Sequence, residues 1–443
     1  MTIVIMIAQL LLGLSILIIL HELGHFLAAR AFGIKVEKFY LFFDAWGVSL
    51  FKFTYKDVEY GIGWLPLGGY VKIAGMIDES MDTEQMAGPP QPWEFRSKPA
   101  WQRLIVMMAG IFVNIVLGIF IFWMLTVRYG ESYIPNNNIK YGIAPGIIGK
   151  HIGLKAGDKI TEINGKPLLR FDDLLTSKVL MGNTQLTVIR DGETMHIAVP
   201  GNILNDLTDY GISEFISPRI RFKVDSVVPN SNAYKAGLLK GDSILAVNNK
   251  PVRFYDQLQD EVKANKNKQI GLIVKRNNTT VPLTSLVTKD GTIGFFANDK
   301  SDLPAEKTVT FGFFGSLPVG ATRAWGTFSD NAKGLGKVFK GEVKANKAFA
   351  GPVGIARMFG GVIDWTRFWS LVGLLSMALA LMNLLPIPAL DGGHAMFLII
   401  EMIKGKPLSD KFMERAQLVG FVIIITLMVF IYGNDIFRSV MHK

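Results

Sequence analysis

The sequence predicts a multi-pass α-helical membrane protein with four transmembrane helices, a membrane-associated β-hairpin and two small inserted α+β domains. Only 19% of the 443 residues are charged and 49% are hydrophobic, whereas soluble proteins are about 25% charged. Long apolar runs recur along the chain, and one polar stretch between them is internally repeated. This composition disfavours a disordered chain and an ordinary cytosolic enzyme.

Four uncharged runs are long enough to cross a bilayer core of about 30 Å. They occupy residues 3–20, 104–127, 368–385 and 416–432. With their flanking residues they predict helices at 3–29, 104–127, 366–385 and 416–433. The first run lacks a basic start and continues into ionisable residues, so we expect a retained helix rather than a cleaved signal peptide.

Lysine and arginine are concentrated in the two short loops, with nine between the first two runs and four between the last two. The positive-inside rule therefore predicts that both loops are cytoplasmic, and that both termini and the insert at 128–367 lie outside. The insert is also basic, but segments of this length cross a membrane largely regardless of charge. The net charge of +10 therefore requires no nucleic acid partner.

The first cytoplasmic loop contains a predicted β-hairpin within residues 40–75. Residues 51–55 and 58–64 are rich in aromatic and β-branched side chains, and Lys56-Asp57 separates them. The edge of such a hairpin can accept an extended chain as an added strand. The alternative is a purely structural hairpin.

The long insert contains an internal repeat. Residues 153–167 match residues 237–251 at an offset of 84 positions. Each copy reads as a Gly-Asp turn, a strand, an Asn-Gly or Asn-Asn turn and a polar helix start at Asp172 or Asp256. The pattern resembles the PDZ domain of bacterial envelope proteases, which implies domains at 128–220 and 221–310. A PDZ fold binds extended peptides at a sheet edge; the alternative is two small domains that bind nothing.

The predicted linker at 311–365 includes a basic amphipathic segment. Between residues 325 and 349, apolar side chains and five lysines alternate at helical spacing. Such a helix either lies at the outer membrane-water boundary or packs against the PDZ-like domains.

The first predicted span contains His21-Glu22-Leu23-Gly24-His25, which matches the H-E-x-x-H pattern. Two imidazoles at i and i+4 share one helix face and can bind Zn²⁺, and the adjacent glutamate can act as a general base. Ionisable groups inside an apolar span are costly and are retained mainly for function. A pair of purely structural histidines is therefore the weaker interpretation.

A catalytic zinc site usually has three protein ligands and one open position. The chain has no cysteine and six histidines, and His394 is the only further histidine expected at cytoplasmic depth. Asp391 is the better candidate, because it follows the third run in an apolar segment interrupted by Pro386, Pro388 and paired glycines. Irregular backbone at membrane depth is tolerated only where protein or a water-filled cavity satisfies it. The alternative is an aspartate that caps a helix at the interface.

The H-E-x-x-H motif in the first span and the N-x-x-P-x-x-x-L-D-G motif after the third together resemble the site-2 protease family of intramembrane zinc metalloproteases. The four-span plan with tandem PDZ domains is similar to bacterial members of this family, and the resemblance covers essentially the whole chain. It implies one Zn²⁺ per chain, with ligands His21, His25 and Asp391 and with Glu22 as the general base.

The same resemblance implies that Asn383 and Asn114 bind the substrate. Asn383 occupies the first position of the motif that ends in Asp391. Asn114 ends a segment similar to the family's G-P-x-x-N motif, but Ile111 stands where proline is usual. Because this proline is absent, the sequence leaves it undecided whether the second span is kinked at this position.

The activity implied is regulated intramembrane proteolysis in a bacterial inner membrane, with the active site toward the cytoplasm and the PDZ domains in the periplasm. The implied substrates are single-span membrane proteins: an anti-sigma factor in an envelope stress response, and remnant signal peptides. Glu22 would deprotonate the attacking water and return the proton to the leaving amine, after local unwinding of the substrate helix. The PDZ pair would act as a size filter or as a reader of new carboxyl termini.

Two other classes of function are weaker. A catalytically silent membrane PDZ scaffold predicts no zinc and no effect of Glu22→Gln. A metal transporter would place His and Asp along several spans, whereas the second and fourth spans contain no ionisable residue.

Overall fold

The computed structural model describes residues 2–66, 68–76, 88–297 and 302–441. The chain divides into two compact units, of which the first combines Met1–Glu131 with Thr310–Lys443 and the second comprises Ser132–Val309. The first unit therefore contains all four predicted spans, and the second contains both copies of the repeat.

The described residues form thirteen α-helices and eighteen β-strands. The helices are α1 (Thr2–Ala31), α2 (Ala100–Tyr129), α3 (Ile147–His151), α4 (Ser177–Leu180), α5 (Ile203–Tyr210), α6 (Asn232–Lys235), α7 (Tyr255–Ala264), α8 (Ser316–Phe339), α9 (Ala345–Ala348), α10 (Pro352–Phe359), α11 (Trp365–Leu384), α12 (Asp391–Lys404) and α13 (Asp410–Met441). The strands of the first unit's sheet are β1 (Val36–Leu41), β2 (Ser49–Tyr55), β3 (Val58–Gly63) and β4 (Tyr70–Ile73). The remaining strands are β5 (Glu131–Tyr133), β6 (Ile143–Pro145), β7 (Lys159–Ile163), β8 (Lys166–Pro167), β9 (Thr184–Arg190), β10 (Glu193–Val199), β11 (Ile216–Pro218), β12 (Val224–Val227), β13 (Ser243–Val247), β14 (Lys250–Pro251), β15 (Gln269–Arg276), β16 (Thr279–Leu286), β17 (Phe295–Ala297) and β18 (Lys307–Val309).

Among the described residues, four helices are long and apolar enough to cross a membrane, as the sequence predicts. They are α1, α2, α11 and the part of α13 from Lys411 to Phe437. The helices α1, α2 and α13 include their predicted spans and extend beyond them, because helical hydrogen bonding continues into flanking residues that a hydropathy run omits; α11 ends at Leu384, one residue before the predicted end. Asp364 begins α11 as an N-cap, accepting hydrogen bonds from the backbone N–H groups of Thr366 and Arg367 at 2.9 and 3.1 Å. The helix α2 is continuous through Ile111, so the second span has no break at this position.

The helix α2 packs against α1, α8, α11 and α12. Small residues allow these close contacts: Gly24 of α1 faces the backbone of Ala109, and Gly373 of α11 faces Ile121 and Phe122. Small residues are common at helix contacts in membranes, where packing rather than the hydrophobic effect holds helices together. The helix α2 is thus the element on which the first unit is assembled.

The predicted hairpin is confirmed, since β2 pairs with β3 across Lys56 and Asp57. Both turn residues have positive φ, 49° and 61°, as a two-residue type I′ turn requires. The hairpin belongs to a larger sheet of order β2-β3-β1-β4, in which β1 and β3 are parallel. The sequence analysis missed β1 and β4, because these strands pair over longer distances and no tight turn marks them.

In the second unit, each copy of the repeat forms a four-stranded and a two-stranded sheet. The first copy has orders β10-β9-β7-β8 and β11-β6, and the second has β14-β13-β15-β16 and β12-β17. The Asn164-Gly165 and Asn248-Asn249 turns occur where the repeat predicts them, and all four residues have positive φ. After these hairpins the first copy has a 3₁₀ helix at Phe171–Leu175, where the second has α7. We call the two copies the first and second repeat modules.

The aspartate of each Gly-Asp turn makes the same buried ion pair. Arg190 contacts Asp158 at 2.7 Å in the first module, and Arg276 contacts Asp242 at 2.7 Å in the second. Both carboxylates are only 1% exposed. Burial alone raises the pKa of Asp242, but hydrogen bonds from Arg276 and the Leu239 N–H outweigh it and lower that pKa overall. The repeat therefore preserves a charged pair as well as a backbone shape.

The segment predicted as a basic amphipathic linker contains α8. This helix packs on α2 and α11, with Gly320 against the Trp123 backbone and Ala324 fully buried. The sequence predicted either a helix at the membrane-water boundary or one packed against the PDZ-like domains, and neither prediction included contact with α2 and α11. The small residues that allow it cannot be recognised as a packing face from hydropathy alone.

Candidate metal centre

Three predicted metal ligands come together in the first unit. His21 and His25 lie one turn apart on α1, and Asp391 is the first residue of α12. The Asp391 Oδ2 atom lies 3.3 Å from His21 Nε2 and 3.4 Å from His25 Nε2. The two Nε2 atoms are 3.4 Å apart. The elements that carry them come from opposite ends of the chain.

These residues fit a zinc ion. Their donor atoms lie within 4.8 Å of one another, and two imidazole nitrogens with one carboxylate oxygen form a typical catalytic zinc set with one open position. The Oδ2 atom of Asp391 is buried and has no hydrogen-bond donor among the described residues. A buried carboxylate oxygen without a donor is costly unless a cation binds it. His394 is not a member of this cluster, in agreement with the preference for Asp391.

Glycines allow α1 and α2 to approach at the two histidines. A Cβ atom on Gly110 of α2 would overlap His25 Nε2 and would lie 2.6 Å from His21 Cε1. A Cβ atom on Gly24 of α1 would lie 2.6 Å from the Ala109 carbonyl oxygen. The two imidazoles therefore occupy space that any larger residue at position 110 would fill.

The loop between α11 and α12 positions Asp391. The prolines lie in this irregular segment as predicted, but Gly392 and Gly393 lie inside the first turn of α12. A Cβ atom on Gly392 would lie 2.5 Å from the Leu384 carbonyl oxygen. The glycines thus allow α12 to begin directly against the end of α11, rather than interrupting a helix.

Glu22 lies beside the ligands and faces a cavity of about 570 Å³. Val71 of β4 lines the same cavity. A Cβ atom on Gly69, just before β4, would lie 3.6 Å from Glu22 Cγ and 2.7 Å from the Tyr40 carbonyl oxygen. The start of β4 is therefore part of the wall that holds the predicted general base.

The cavity has walls from α1, from the sheet and from the α11–α13 region. Its polar lining includes Glu22, Asp44, Asn383, Asp391, His394 and Gln417. Sequence reasoning missed Val71, which lines the cavity from β4, and Gln417, which is 5% exposed. A single polar residue at the start of the fourth apolar run was the only signal for Gln417.

The two predicted substrate-binding asparagines differ in position. Asn383, in the last turn of α11, lines the cavity, and its Nδ2 atom lies 3.0 Å from His21 Nε2. Asn114 is completely buried, and its Nδ2 atom lies 3.0 Å from His21 Nδ1, on the opposite side of the ring. Asn114 is not part of the cavity lining. The structure therefore turns Asn114 toward a metal ligand rather than toward a substrate.

Hydrogen bonding and stacking hold the sheet beside the cavity. The Tyr40 hydroxyl donates to Glu59 at 2.7 Å, and the Tyr40 ring stacks on Tyr70 at 5.4 Å. Burial raises the pKa of Tyr40 to about 12, and the Glu59 carboxylate adds to this effect. The same hydrogen bond lowers the pKa of Glu59. Tyr40 therefore stays protonated at neutral pH and acts as a fixed donor inside the sheet.

Comparison with known proteins identifies the family of the chain. The model of peptidase family M50 matches residues 9–427. The "Regulator of sigma-E protease RseP" of Escherichia coli is 30% identical over 97% of this chain and 98% of its own length. A "Putative zinc metalloprotease" of Vibrio cholerae is 27% identical, over 96% and 97% respectively. The "Regulator of sigma E protease" of Haemophilus influenzae is 29% identical over the same shares. With a match along almost its whole length, the chain belongs to peptidase family M50 and is a zinc metalloprotease of the site-2 type.

Proposed function

We propose that the chain is an intramembrane endopeptidase that cuts single-span membrane proteins at the site formed by His21, Glu22, His25 and Asp391. One observation carries this proposal: the three ligand atoms lie within 4.8 Å of one another, on helices of which α1 is apolar enough to cross a membrane. Buried ionisable groups in a spanning helix are expensive and mark functional sites.

Each residue has a distinct role in the proposed reaction. His21, His25 and Asp391 hold the ion, and bound Zn²⁺ supplies Lewis acidity that activates water and polarises the scissile carbonyl. Glu22 takes the proton from the attacking water and returns it to the leaving amine. Val71 of β4 lines the cavity that Glu22 faces. Asn383 lines the same cavity and orients the substrate backbone.

The substrate binds in an extended form, because a helical segment hides its carbonyl groups in its own hydrogen bonds. An extended chain can add to a free strand edge. Among the described residues, the sheet order β2-β3-β1-β4 leaves the outer edges of β2 and β4 unpaired, and residues 69–73 around β4 line the cavity. The sequence predicted docking at an edge of the hairpin, and β2 is the hairpin strand that lies at an edge of the sheet. Because β4 lies beside the cavity, we propose that the substrate adds to the edge of β4 instead.

Disulfide cross-linking distinguishes the two edges, since the chain has no cysteine of its own. We expect that a cysteine at Lys72 in β4 cross-links to a cysteine near the scissile bond of a single-span reporter. A cysteine at Thr54 in β2 serves as the matched control and should not cross-link. Equal cross-linking at both positions, or at Thr54 alone, would contradict docking on β4.

The central experiment compares purified wild type with Glu22→Gln, measuring zinc per chain and cleavage of a membrane-embedded reporter with and without a chelator. We expect about one zinc in both proteins, and chelator-sensitive cleavage by the wild type alone. Glu193→Gln, on an exposed strand of the first module, is the control and should cut normally. A folded wild type that neither binds zinc nor cuts would sink the proposal and favour a silent membrane scaffold.

The names of the relatives suggest the physiological substrate. The name of one relative refers to a sigma-E system, and we propose that this chain cleaves an anti-sigma factor that has been trimmed on its outer side, with remnant signal peptides as a second class of substrate. We place the chain in a bacterial inner membrane, with its termini and repeat modules in the periplasm. The asymmetric loop charge supports this orientation.

We further infer that the repeat modules are PDZ domains. Among the described residues, β11 pairs only with β6, and β17 pairs only with β12, so each module offers a strand edge for a peptide. A reader of carboxyl termini predicts that blocking the reporter's outer carboxyl terminus as an amide slows cleavage. A size filter predicts that only an added folded outer domain slows it.

A further inference from the structure

The polar groups that α2 presents to the two histidines are arranged as a pair. The Val106 carbonyl oxygen lies 2.8 Å from His25 Nδ1, and the Asn114 amide lies 3.0 Å from His21 Nδ1. Val106 and Asn114 are eight positions apart on one helix, about two turns, with Gly110 between them. One face of α2 therefore contacts the outward nitrogen of both rings.

The Val106 contact settles which nitrogen of His25 carries the proton. A carbonyl oxygen can only accept a hydrogen bond, so His25 Nδ1 must donate. The neutral ring has one N–H, and Nε2 therefore keeps its lone pair directed toward Asp391 and the metal position. Metal-binding histidines usually donate their other N–H to an acceptor in this way.

His21 requires the same arrangement. Its Nε2 atom lies among the ligand atoms, 3.3 Å from Asp391 Oδ2, so its Nδ1 atom must carry the proton when a metal is bound. The contact at 3.0 Å must then be made by an acceptor. A 180° flip of an asparagine side-chain amide exchanges the positions of its nitrogen and oxygen. Asn114 Oδ1 is buried and has no hydrogen-bond donor among the described residues. Turning the amide gives that oxygen the His21 N–H.

We propose that Asn114 is a positioning residue for the metal centre, whose side-chain oxygen accepts the His21 Nδ1–H and fixes His21 Nε2 as the ligand. This inference rests on the proposed zinc site and replaces a substrate-binding role for Asn114. Ser376 supports it from α11, since its hydroxyl donates to the Asn114 backbone carbonyl at 2.7 Å. Ser376 thus holds the backbone of Asn114, while the side-chain amide of Asn114 contacts the His21 imidazole.

The test measures zinc affinity of the purified full chain by competition with a chromophoric chelator, independently of cleavage. Asn114→Leu has similar size but no acceptor, and it should weaken zinc binding by about 10- to 100-fold. Asn114→Asp keeps an oxygen acceptor and should stay within about threefold of the wild type. Thr126→Val removes a buried hydroxyl from α2, bonded there to the Phe122 carbonyl and away from the metal centre; it is the packing control and should also stay within about threefold. The Co²⁺-loaded wild type and Asn114→Asp should share a tetrahedral visible spectrum that Asn114→Leu loses.

The outcomes separate this inference from the proposed function. If the folded wild-type chain binds no zinc, this result contradicts the proposed function itself. Zinc binding by wild type and Asn114→Leu with equal affinity overturns the positioning role, as does equal weakening in Asn114→Leu and Asn114→Asp. Thermal unfolding of each metal-free variant identifies a misfolded protein, and Asn114→Ala, with the same expected loss, replaces Asn114→Leu in that case.

Discussion

Gly110 controls how closely α2 approaches the two metal-binding histidines. Because a Cβ atom there would overlap His25 Nε2, we expect Gly110→Ala to displace the imidazole and weaken zinc binding by at least about tenfold. Gly326→Ala in α8 is the matched control, since a Cβ atom at Gly326 meets nothing within 4 Å. Zinc titration of both purified variants measures the effect. Wild-type affinity in Gly110→Ala would show that the histidines do not depend on this close contact.

Asp242 makes the stability of the second module depend on pH. Its pKa is lowered in the folded chain, so the ion pair stabilises the fold above the unfolded-state value of about 3.9 and is lost as the pH falls through the folded value. We expect the unfolding temperature of the module to decrease when the pH is lowered below about 4. Asp242→Asn should cost about 3 kcal/mol at neutral pH and should flatten this dependence.

Calorimetry of the full chain from about pH 3 to about pH 7, which spans the expected loss of the ion pair, tests this prediction. Asp225→Asn in the same module is the control, because Asp225 is 46% exposed and its lysine partner lies 3.6 Å away. Equal effects of the two substitutions would rule out a special contribution of the buried pair.

The sequence identified those site residues whose side chains carry the chemistry, and missed those that act by shape or through the backbone. The spacing of His21 and His25 places both imidazoles on one helix face. The absence of cysteine and the positions of the apolar runs together narrowed the third ligand to Asp391 or His394. The Val106 carbonyl is present in every residue type, so no sequence pattern reveals its contact with His25. The direction in which Asn114 faces depends on the rotation of α2, which an apolar run does not specify.

At the scale of the elements, α13 approaches the metal centre at one glycine. A Cβ atom on Gly420 would lie 2.5 Å from the Ala389 backbone nitrogen, in the loop that precedes Asp391. We expect Gly420→Ala to shift this loop or the helix and to reduce reporter cleavage by about tenfold or more, as small misplacements do in active sites. Gly433→Ala on the same helix meets nothing within 4 Å and should cleave at the wild-type rate. Equal activity of both variants would contradict the prediction.

Hydropathy and turn chemistry predicted different elements with different success. The four spans and the β2–β3 hairpin have local signals: long uncharged runs and a two-residue turn at Lys56-Asp57. The strands β1 and β4 and the helix α12 have none, because their partners are distant in sequence. The full sheet beside the cavity therefore emerged only from the three-dimensional structure.

At the scale of the second unit, ion pairs and ring contacts connect the two repeat modules. Arg219 contacts Asp256 at 3.1 Å and lies over the Phe254 ring at 4.1 Å, and Lys150 contacts Asp260 at 2.9 Å. We expect Arg219→Ala to loosen this connection. Spin labels on cysteines at Glu193 and Thr279 should then give a broader distance distribution than in the otherwise unsubstituted chain.

The control for this measurement is Lys250→Ala, because the exposed Lys250–Glu261 pair lies within the second module alone. The absence of native cysteine means that only the two chosen positions carry labels. An unchanged distribution in Arg219→Ala would show that the modules are held together without this contact.

The distance along the chain between the parts of the metal centre has a consequence for biosynthesis. Asn383 and His21 are 362 positions apart, and Asp391 follows still later. At about 5 to 20 residues per second, roughly 20 to 70 s of translation separate the two halves of the site. A nascent chain, or one truncated before α12, carries His21, Glu22 and His25 without their carboxylate partner. The metal centre therefore stays incomplete until α12 has been synthesised.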